Sequence, residues 1–134
     1  AEEWRGFQAT ADAAGIELVP HFNVIGHLEH VVPVYPELGS EASPGWMDMD
    51  PTQPAARAWM LRCLAEFCAI SRSEYFLIGG DEWQPPRALL EQPGFDVAAA
   101  WVEQVNAAVE FLVARGRKPI VWHDMLLHYP AALA

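Results

Sequence analysis

Tyr75-Phe76-Leu77-Ile78-Gly79-Gly80-Asp81-Glu82-Trp83 is the stretch on which the interpretation of this sequence depends. A short apolar strand runs into two glycines, and two adjacent carboxylates follow. Neighbouring side chains on a strand point to opposite faces, but the glycines end the regular pleat because they adopt backbone angles closed to other residues. Asp81 and Glu82 can then turn toward one space, where two acids cannot ionise independently. One proton donor beside one fixed negative charge is the arrangement that cleavage of a glycosidic bond requires.

Size and charge restrict the classes of protein that this chain can represent. Its 134 residues are the size of one small domain, and 52% are hydrophobic, which is enough for a core and argues against disorder. The formal net charge of -10 makes nucleic acid and anionic membrane surfaces poor partners, and no apolar run is long enough to span a membrane. Cys63 and Cys68 fit neither a disulfide nor a zinc site. As free thiols they favour a reducing compartment such as the cytoplasm.

The order of the predicted elements indicates an α/β fold. Short apolar strands are predicted at residues 16–22, 75–78 and 119–122. Helices are predicted at residues 3–14, from Asp50-Pro51 to about residue 70, from Asp96 to Gly116, and from Met125 onward. This alternation favours parallel strands joined by helical crossovers.

A polar cluster follows each predicted strand, at residues 21–30, 81–83 and 122–124. In a (β/α)8 barrel the carboxyl ends of the strands carry the active site. Three strands cannot close such a barrel, so we interpret residues 1–134 as part of a single catalytic barrel domain, truncated at both ends. The predicted architecture is therefore a partial (β/α)8 TIM barrel of roughly three βα units. An open doubly wound sheet is the structural alternative, and loop 23–50, with a helical turn near residues 28–32, has a length typical of functional loops.

Further candidate residues lie close to the acid pair in this scheme. Gly26 allows a chain reversal that can aim His27 at a carboxylic acid and support it, although a packed loop histidine is the alternative. An indole at a strand end can stack on a pyranose ring, which makes Trp122 and the nearby Asp124 candidates for substrate binding. Trp83 can equally line the site or brace its loop. Less support attaches to His21, Glu29, His30 and Trp46, and the helical pattern assigns Trp59 and Trp101 to packing.

Four segments, in this order, resemble the catalytic barrel of family 20 glycoside hydrolases, the β-N-acetylhexosaminidases. They are Gly15-Ile-Glu-Leu-Val-Pro20 with Gly26-His27, Met49-Asp-Pro-Thr-Gln-Pro54, Tyr75-Phe-Leu-Ile-Gly-Gly-Asp-Glu82, and Lys118-Pro-Ile-Val-Trp-His-Asp124. Gly26-His-Leu-Glu29 is most similar to the branch that includes hexosaminidase D. One departure is Leu77, which stands where the family usually has His.

The resemblance implies hydrolysis of terminal β-linked N-acetylhexosamine, with retention of configuration and without a cofactor or metal. Glu82 would protonate the glycosidic oxygen, while the substrate's own 2-acetamido oxygen attacks the anomeric carbon. Asp81 would orient that acetamide, and Glu82 would then activate water as a general base. The implied substrate is a β-N-acetylhexosaminide or a glycoconjugate that carries one.

Two other classes of function stay open at this point. A non-catalytic sugar-binding barrel would keep the fold without turnover, and Leu77 favours it. A metal-dependent barrel hydrolase is the second class. Its ligands would come from His21, His27, Asp81, Glu82, His123 and Asp124.

Overall fold

The computed structural model describes residues 2–39 and 48–130, so that Trp46 lies outside the described residues. Its elements in chain order are α1 (Glu2–Ala13), α2 (Pro54–Ile70), β1 (Tyr75–Leu77), α3 (Arg87–Leu90), α4 (Val97–Val113), β2 (Lys118–Ile120) and α5 (Asp124–His128), with a turn of 3-10 helix at Pro36–Leu38. The predicted mixed α/β fold is confirmed.

A small parallel sheet organises these elements. β1 pairs with β2 in parallel, and Leu77 lies opposite Ile120. On the other edge of β1, residues 20–24 run alongside it and form an isolated parallel bridge between His21 and Leu77. The Phe22 N–H donates to the Leu77 carbonyl at 3.0 Å, and the Leu77 N–H donates to the Pro20 carbonyl at 3.0 Å. β1 is therefore the central member of three parallel segments, and all three lead toward the same edge.

The predicted first strand at residues 16–22 is wrong in its extent. Only His21 makes a bridge to β1, and the expectation of burial fails because Ile16 is 57% exposed and Val19 is 40% exposed. Pro20 has no N–H to donate to a ladder. Ile16 and Val19 instead line a cavity with Trp4 and Phe7 of α1, so an apolar pattern that predicts a buried strand is here partly exposed.

The start of α2 also differs from the prediction. The helix begins at Pro54 with Gln53 as its N-cap residue, rather than at Pro51 with Asp50 as the cap. The Asp50 carboxylate instead accepts the Thr52 backbone N–H at 2.9 Å and the Thr52 hydroxyl at 2.6 Å. Because Asp side chains favour this local turn, residues 50–53 form a turn and the second proline opens the helix.

The predicted third helix is confirmed, since Asp96 caps α4 and its Oδ1 accepts the Ala99 N–H at 3.0 Å. The final helix begins one residue before the predicted Met125 and ends at His128. Its predicted continuation is wrong at Tyr129, which is the C-cap residue, and residues 131–134 lie outside the described residues. One short helix, α3, lies between the acid pair and α4 and was not among the predicted helices.

The core lies between the helices and one face of the sheet. Phe76 and Ile78 on the central strand are fully buried, in one cluster with Met60 and Leu64 of α2 and residues of α4 that include Val105. The same strand presents Tyr75 and Leu77 to the opposite face, where Ile120 and Trp122 are also exposed. Within the described residues the sheet is thus covered on one face. None of the described helices has both the length and the apolarity needed to cross a membrane.

Candidate active site

The two glycines after β1 turn the chain sharply at the edge of the sheet. Gly79 has a φ of 66° and Gly80 a φ of 87°, a region that L-residues rarely adopt. A Cβ on Gly79 would lie 2.0 Å from Asn23 Oδ1, and one on Gly80 would lie 3.1 Å from Val121 Cγ2. The Trp101 indole N–H donates to the Gly80 carbonyl at 2.8 Å and fixes the turn from α4. Conformation therefore favours glycine at Gly79, and a Cβ there would also force the Asn23 side chain to move.

Asp81 and Glu82 face one space, as the glycine pattern predicts. His27 Nε2 lies 3.2 Å from Asp81 Oδ2 and 3.6 Å from Glu82 Oε2, so a single imidazole nitrogen contacts both carboxylates. Glu82 itself adopts a left-handed backbone conformation with a φ of 47°. Such a conformation in a residue other than glycine is strained and marks functional positions. It breaks the strand alternation that would otherwise send neighbouring side chains to opposite faces.

The loop that carries His27 passes close to the acid pair. His27 also has a left-handed backbone, with a φ of 53°. A Cβ on Gly26 would lie 2.8 Å from the Asp81 carbonyl oxygen, so only glycine permits this approach. The predicted chain reversal at Gly26 therefore brings the His27 ring to the acids through close contact between two backbones.

The two carboxylates differ in their access to solvent. The Glu82 side chain is 73% exposed and that of Asp81 is 26% exposed. Asp81 Oδ1 is buried and accepts no hydrogen bond from the described residues. A buried acceptor without a donor is uncommon in folded proteins and points to a functional position or to a partner supplied from elsewhere. Glu82 can thus reach outward while Asp81 is held at the base of the turn.

Asp124, from the start of α5, holds the backbone of the acid pair. Its Oδ2 accepts the Glu82 backbone N–H at 2.9 Å, while its Oδ1 is buried without a donor from the described residues. Trp122 is 48% exposed, and its backbone N–H donates to the Gly79 carbonyl at 3.1 Å. The segment after β2 therefore lies beside the diglycine turn, and the indole of Trp122 is available at the surface.

Trp83 braces its loop and does not line the site, the two roles between which the sequence could not decide. It is 4% exposed and belongs to the core cluster, and its indole N–H donates to the Met49 carbonyl at 3.3 Å. A ring with so little accessible surface cannot form the wall of a sugar pocket in this conformation. Its hydrophobic burial anchors the loop that follows Glu82 to the segment before α2.

Sequence reasoning missed Asp48, which links the two loops of the site. One carboxylate oxygen, Oδ2, accepts the Gln84 backbone N–H at 3.0 Å, and the carboxylate also accepts the backbone N–H of His27. Burial raises the pKa of the Asp48 carboxyl above its ordinary value of 3.8, against the opposing effect of these two hydrogen bonds. Only its position between Met47 and the Met49-Asp50-Pro51 motif was visible in the sequence, and nothing in that pattern signals a structural role.

The other candidates lie outside this constellation. His21 Nε2 lies 2.9 Å from Asn23 Oδ1, and both residues line a cavity of about 340 Å³ with His30 and Trp59. Leu77 is half-buried in the central strand. Across residues 2–39 and 48–130, no group of three or more His, Cys, Asp or Glu side chains has an arrangement that could hold a metal ion.

Comparison with known proteins identifies the family. The family model described as "Glycosyl hydrolase family 20, catalytic domain" matches residues 1–134. A β-N-acetylhexosaminidase from Bacteroides fragilis superimposes with a TM-score of 0.79 at 26% identity, over 93% of this chain and 26% of that one. A family 20 exo-β-N-acetylglucosaminidase from Vibrio harveyi, in complex with N-acetylglucosamine, gives a TM-score of 0.75 at 25% identity, over 90% of this chain and 22% of that one.

A chitobiase from Flavobacterium johnsoniae shares the fold, with a TM-score of 0.74 at 23% identity over 93% of this chain and 22% of that one. The chain thus spans about a quarter of the length of these solved structures. None of the curated protein sequences matches it significantly. The match to the catalytic-domain description over the whole sequence shows that this chain belongs to glycoside hydrolase family 20.

Proposed function

We propose that the full-length protein containing this chain removes terminal β-linked N-acetylhexosamine by a retaining mechanism in which the substrate's own acetamide is the nucleophile. The observation that carries this proposal is the contact of Asp81 and Glu82 with the same nitrogen of His27. Two carboxylates this close suit complementary roles, one as proton donor and one as fixed charge. Structures named as a β-N-acetylhexosaminidase and an exo-β-N-acetylglucosaminidase, matched at 26% and 25% identity, give the proposal its substrate class.

Glu82 is the proton donor in this mechanism because it is the more exposed of the two acids and can reach the glycosidic oxygen. As the bond between the anomeric carbon and that oxygen breaks, the acetamide oxygen attacks the anomeric carbon and an oxazolinium ion forms. Glu82, now deprotonated, takes a proton from water, which opens the oxazolinium ring. The donated proton leaves with the aglycone and the second proton restores Glu82, so the enzyme ends unchanged.

Asp81 orients the acetamide and stabilises the positive charge that develops on its nitrogen. Its side chain is 26% exposed, so that a ligand can approach the carboxylate beside His27. An ionised carboxylate in this state gains from another donor, and the acetamide N–H is one. No protein nucleophile is required, which is a recognised exception to the two-carboxylate scheme. His27 supports both acids through the nitrogen that they share.

The architecture proposed for the full-length protein is a (β/α)8 barrel to which this chain contributes roughly three βα units. The exposed sheet face, with Tyr75, Ile120 and Trp122, supports this proposal because the inner face of a barrel is filled by such side chains. In that setting Trp122 contacts the sugar, and Asp124 holds the Glu82 backbone beside it. Gly26-His27-Leu28-Glu29 supports a place in the branch that includes hexosaminidase D.

The test is hydrolysis of an aryl β-N-acetylglucosaminide by the full-length protein and its Asp81→Asn variant. We expect kcat/KM to fall about 100- to 1,000-fold, the usual effect of removing one stabilising group aimed at developing charge. Asp96→Asn, which alters a carboxylate at a helix cap far from the acid pair in sequence, is the matched control and should stay within about threefold of wild type. Proton NMR should show the β-anomer as the first product. An unaffected Asp81→Asn variant, or an α-anomer first, would contradict the assisted mechanism.

A non-catalytic sugar-binding protein is the second candidate, because Leu77 replaces the histidine that the family usually carries at that position of the central strand. It predicts that the full-length protein binds a thiazoline mimic of the oxazolinium ion but turns over no β-N-acetylhexosaminide. Turnover by the wild type removes this candidate.

A further inference from the structure

Asp48 lies between the two loops of the site, and its side chain hydrogen bonds to the backbone of both. Its carboxylate accepts the N–H of His27 and, at 3.0 Å, the N–H of Gln84. The first donor is the backbone of the residue that contacts both acids, and the second lies two residues after Glu82. Asp48 therefore ties the loop that carries His27 to the segment that carries the proton donor.

Both of these loops need such support. His27 and Glu82 have left-handed backbones, with φ values of 53° and 47°, and such residues persist only when their surroundings hold them there. Neither residue lies in a helix or strand whose ladder would fix it. A carboxyl group has two acceptor oxygens, so the Asp48 side chain can receive an N–H from each segment and hold both.

Asp81 is supported by a different set of contacts. The turn before it is fixed by Gly79, by Gly80 and by the hydrogen bond from the Trp101 indole to the Gly80 carbonyl at 2.8 Å. Asp48 takes no part in these interactions. The turn before Asp81 is thus fixed from the core, whereas Glu82 is held by Asp124 at its backbone N–H and by Asp48 through Gln84.

We propose that Asp48 is a positioning residue that aligns Glu82 and His27 for proton transfer to the leaving group, and this inference rests on the proposed function. Its carboxylate does not touch the substrate. It sets the distance and angle at which Glu82 meets the glycosidic oxygen. Misplacement of a catalytic group by about 1 Å can cost about 100-fold in rate. Loss of the two hydrogen bonds of Asp48 should therefore impair the proton-donating step selectively.

The test compares kcat/KM for a methyl and a dinitrophenyl β-N-acetylglucosaminide in the full-length protein. The dinitrophenolate leaves with little protonation, whereas methanol requires it. For Asp48→Ala we expect kcat/KM to fall about 10- to 100-fold on the methyl substrate and less than about threefold on the dinitrophenyl substrate. Asp48→Asn, which keeps the shape and one acceptor oxygen, should give a smaller split in the same direction and serves if the alanine variant does not fold.

Asp96→Ala is the matched control, since it removes one carboxylate-to-backbone hydrogen bond, to Ala99, outside the site. It should lower thermal stability and leave the ratio between the two substrates unchanged. A merely structural role for Asp48 predicts equal losses on both substrates, as for any loss of folded protein, and that result, or no loss on either, would overturn the inference. A wild type that hydrolyses neither substrate would instead refute the proposed function on which the inference depends.

Discussion

Gly79→Ala tests the physical origin of the turn that presents the acid pair. Two costs add at this position. An L-residue at a φ of 66° loses about 1–2 kcal/mol. The added Cβ would lie 2.0 Å from Asn23 Oδ1. Overpacking of this kind typically lowers the free energy of unfolding by a further amount of about 1–3 kcal/mol. The expected loss in the free energy of unfolding is therefore about 2–5 kcal/mol.

Gly15→Ala is the internal reference for this experiment. Gly15 has nearly the same φ, 69°, but a Cβ there meets nothing within 4 Å. Its substitution should cost only the conformational share, about 1–2 kcal/mol. Adding Asn23→Ala to Gly79→Ala should recover the steric share, since it removes the oxygen that the new methyl group meets.

Denaturant unfolding of the full-length variants gives these free energies, and kcat/KM on an aryl β-N-acetylglucosaminide gives the consequence for the site. Gly79→Ala should lower both quantities, whereas Gly15→Ala should lower stability alone. If the two alanine variants prove equally stable, the close approach of Asn23 does not constrain the turn and this account of the diglycine is wrong.

Three further predictions concern the site and the chain. His27→Asn keeps a residue that tolerates the left-handed conformation. It should lower kcat on a methyl β-N-acetylglucosaminide about 10- to 100-fold, because both acids lose their shared contact. A kcat within about threefold of wild type would contradict this. Burial raises the pKa of Asp48 above 3.8, so the folded state binds the proton of this carboxyl more tightly than the unfolded state does. The stability that this proton contributes is present below that value and is lost as pH rises through the raised pKa. The melting temperature of wild type minus that of Asp48→Asn should therefore fall from about pH 4 upward, and a rising difference would refute this sign. Expressed alone, the 134 residues should be inactive and unfold without a cooperative transition, since within the described residues both outer members of the sheet expose an edge. A sharp thermal transition by circular dichroism, together with turnover, would overturn this expectation.

Local chemistry explains what the sequence predicts well. The Gly79-Gly80 pair has a conformational meaning that does not depend on the rest of the fold, so the convergence of Asp81 and Glu82 follows from the pattern itself. Asp96 predicts the start of α4 for the same reason, because a cap acts within one turn of its helix. Gly26 likewise predicts the chain reversal that aims His27 at the acids.

Tertiary context explains what the sequence does not predict. The predicted start of α2 is wrong because Pro51 and Pro54 can each occupy the first position of a helix, and Asp50 stabilises a turn as readily as a helix cap. Asp48 is invisible because its partner Gln84 lies 36 residues away and contributes only a backbone N–H, which has no sequence signature. Trp83 is ambiguous because a buried and a sugar-stacking indole look alike in sequence, and its hydrogen bond to Met49 decides between them.

The most direct test of the central claim is the effect of Glu82→Gln on kcat/KM for substrates with poor and good leaving groups. The change keeps the size of the side chain and removes its proton, and the backbone hydrogen bond from Glu82 to Asp124 does not depend on the side chain. We predict a fall of about 100- to 10,000-fold on a methyl β-N-acetylglucosaminide and a fall within about tenfold on the dinitrophenyl compound, because kcat/KM reports bond cleavage and that leaving group needs little help. Equal losses on the two substrates would show that Glu82 is not the acid.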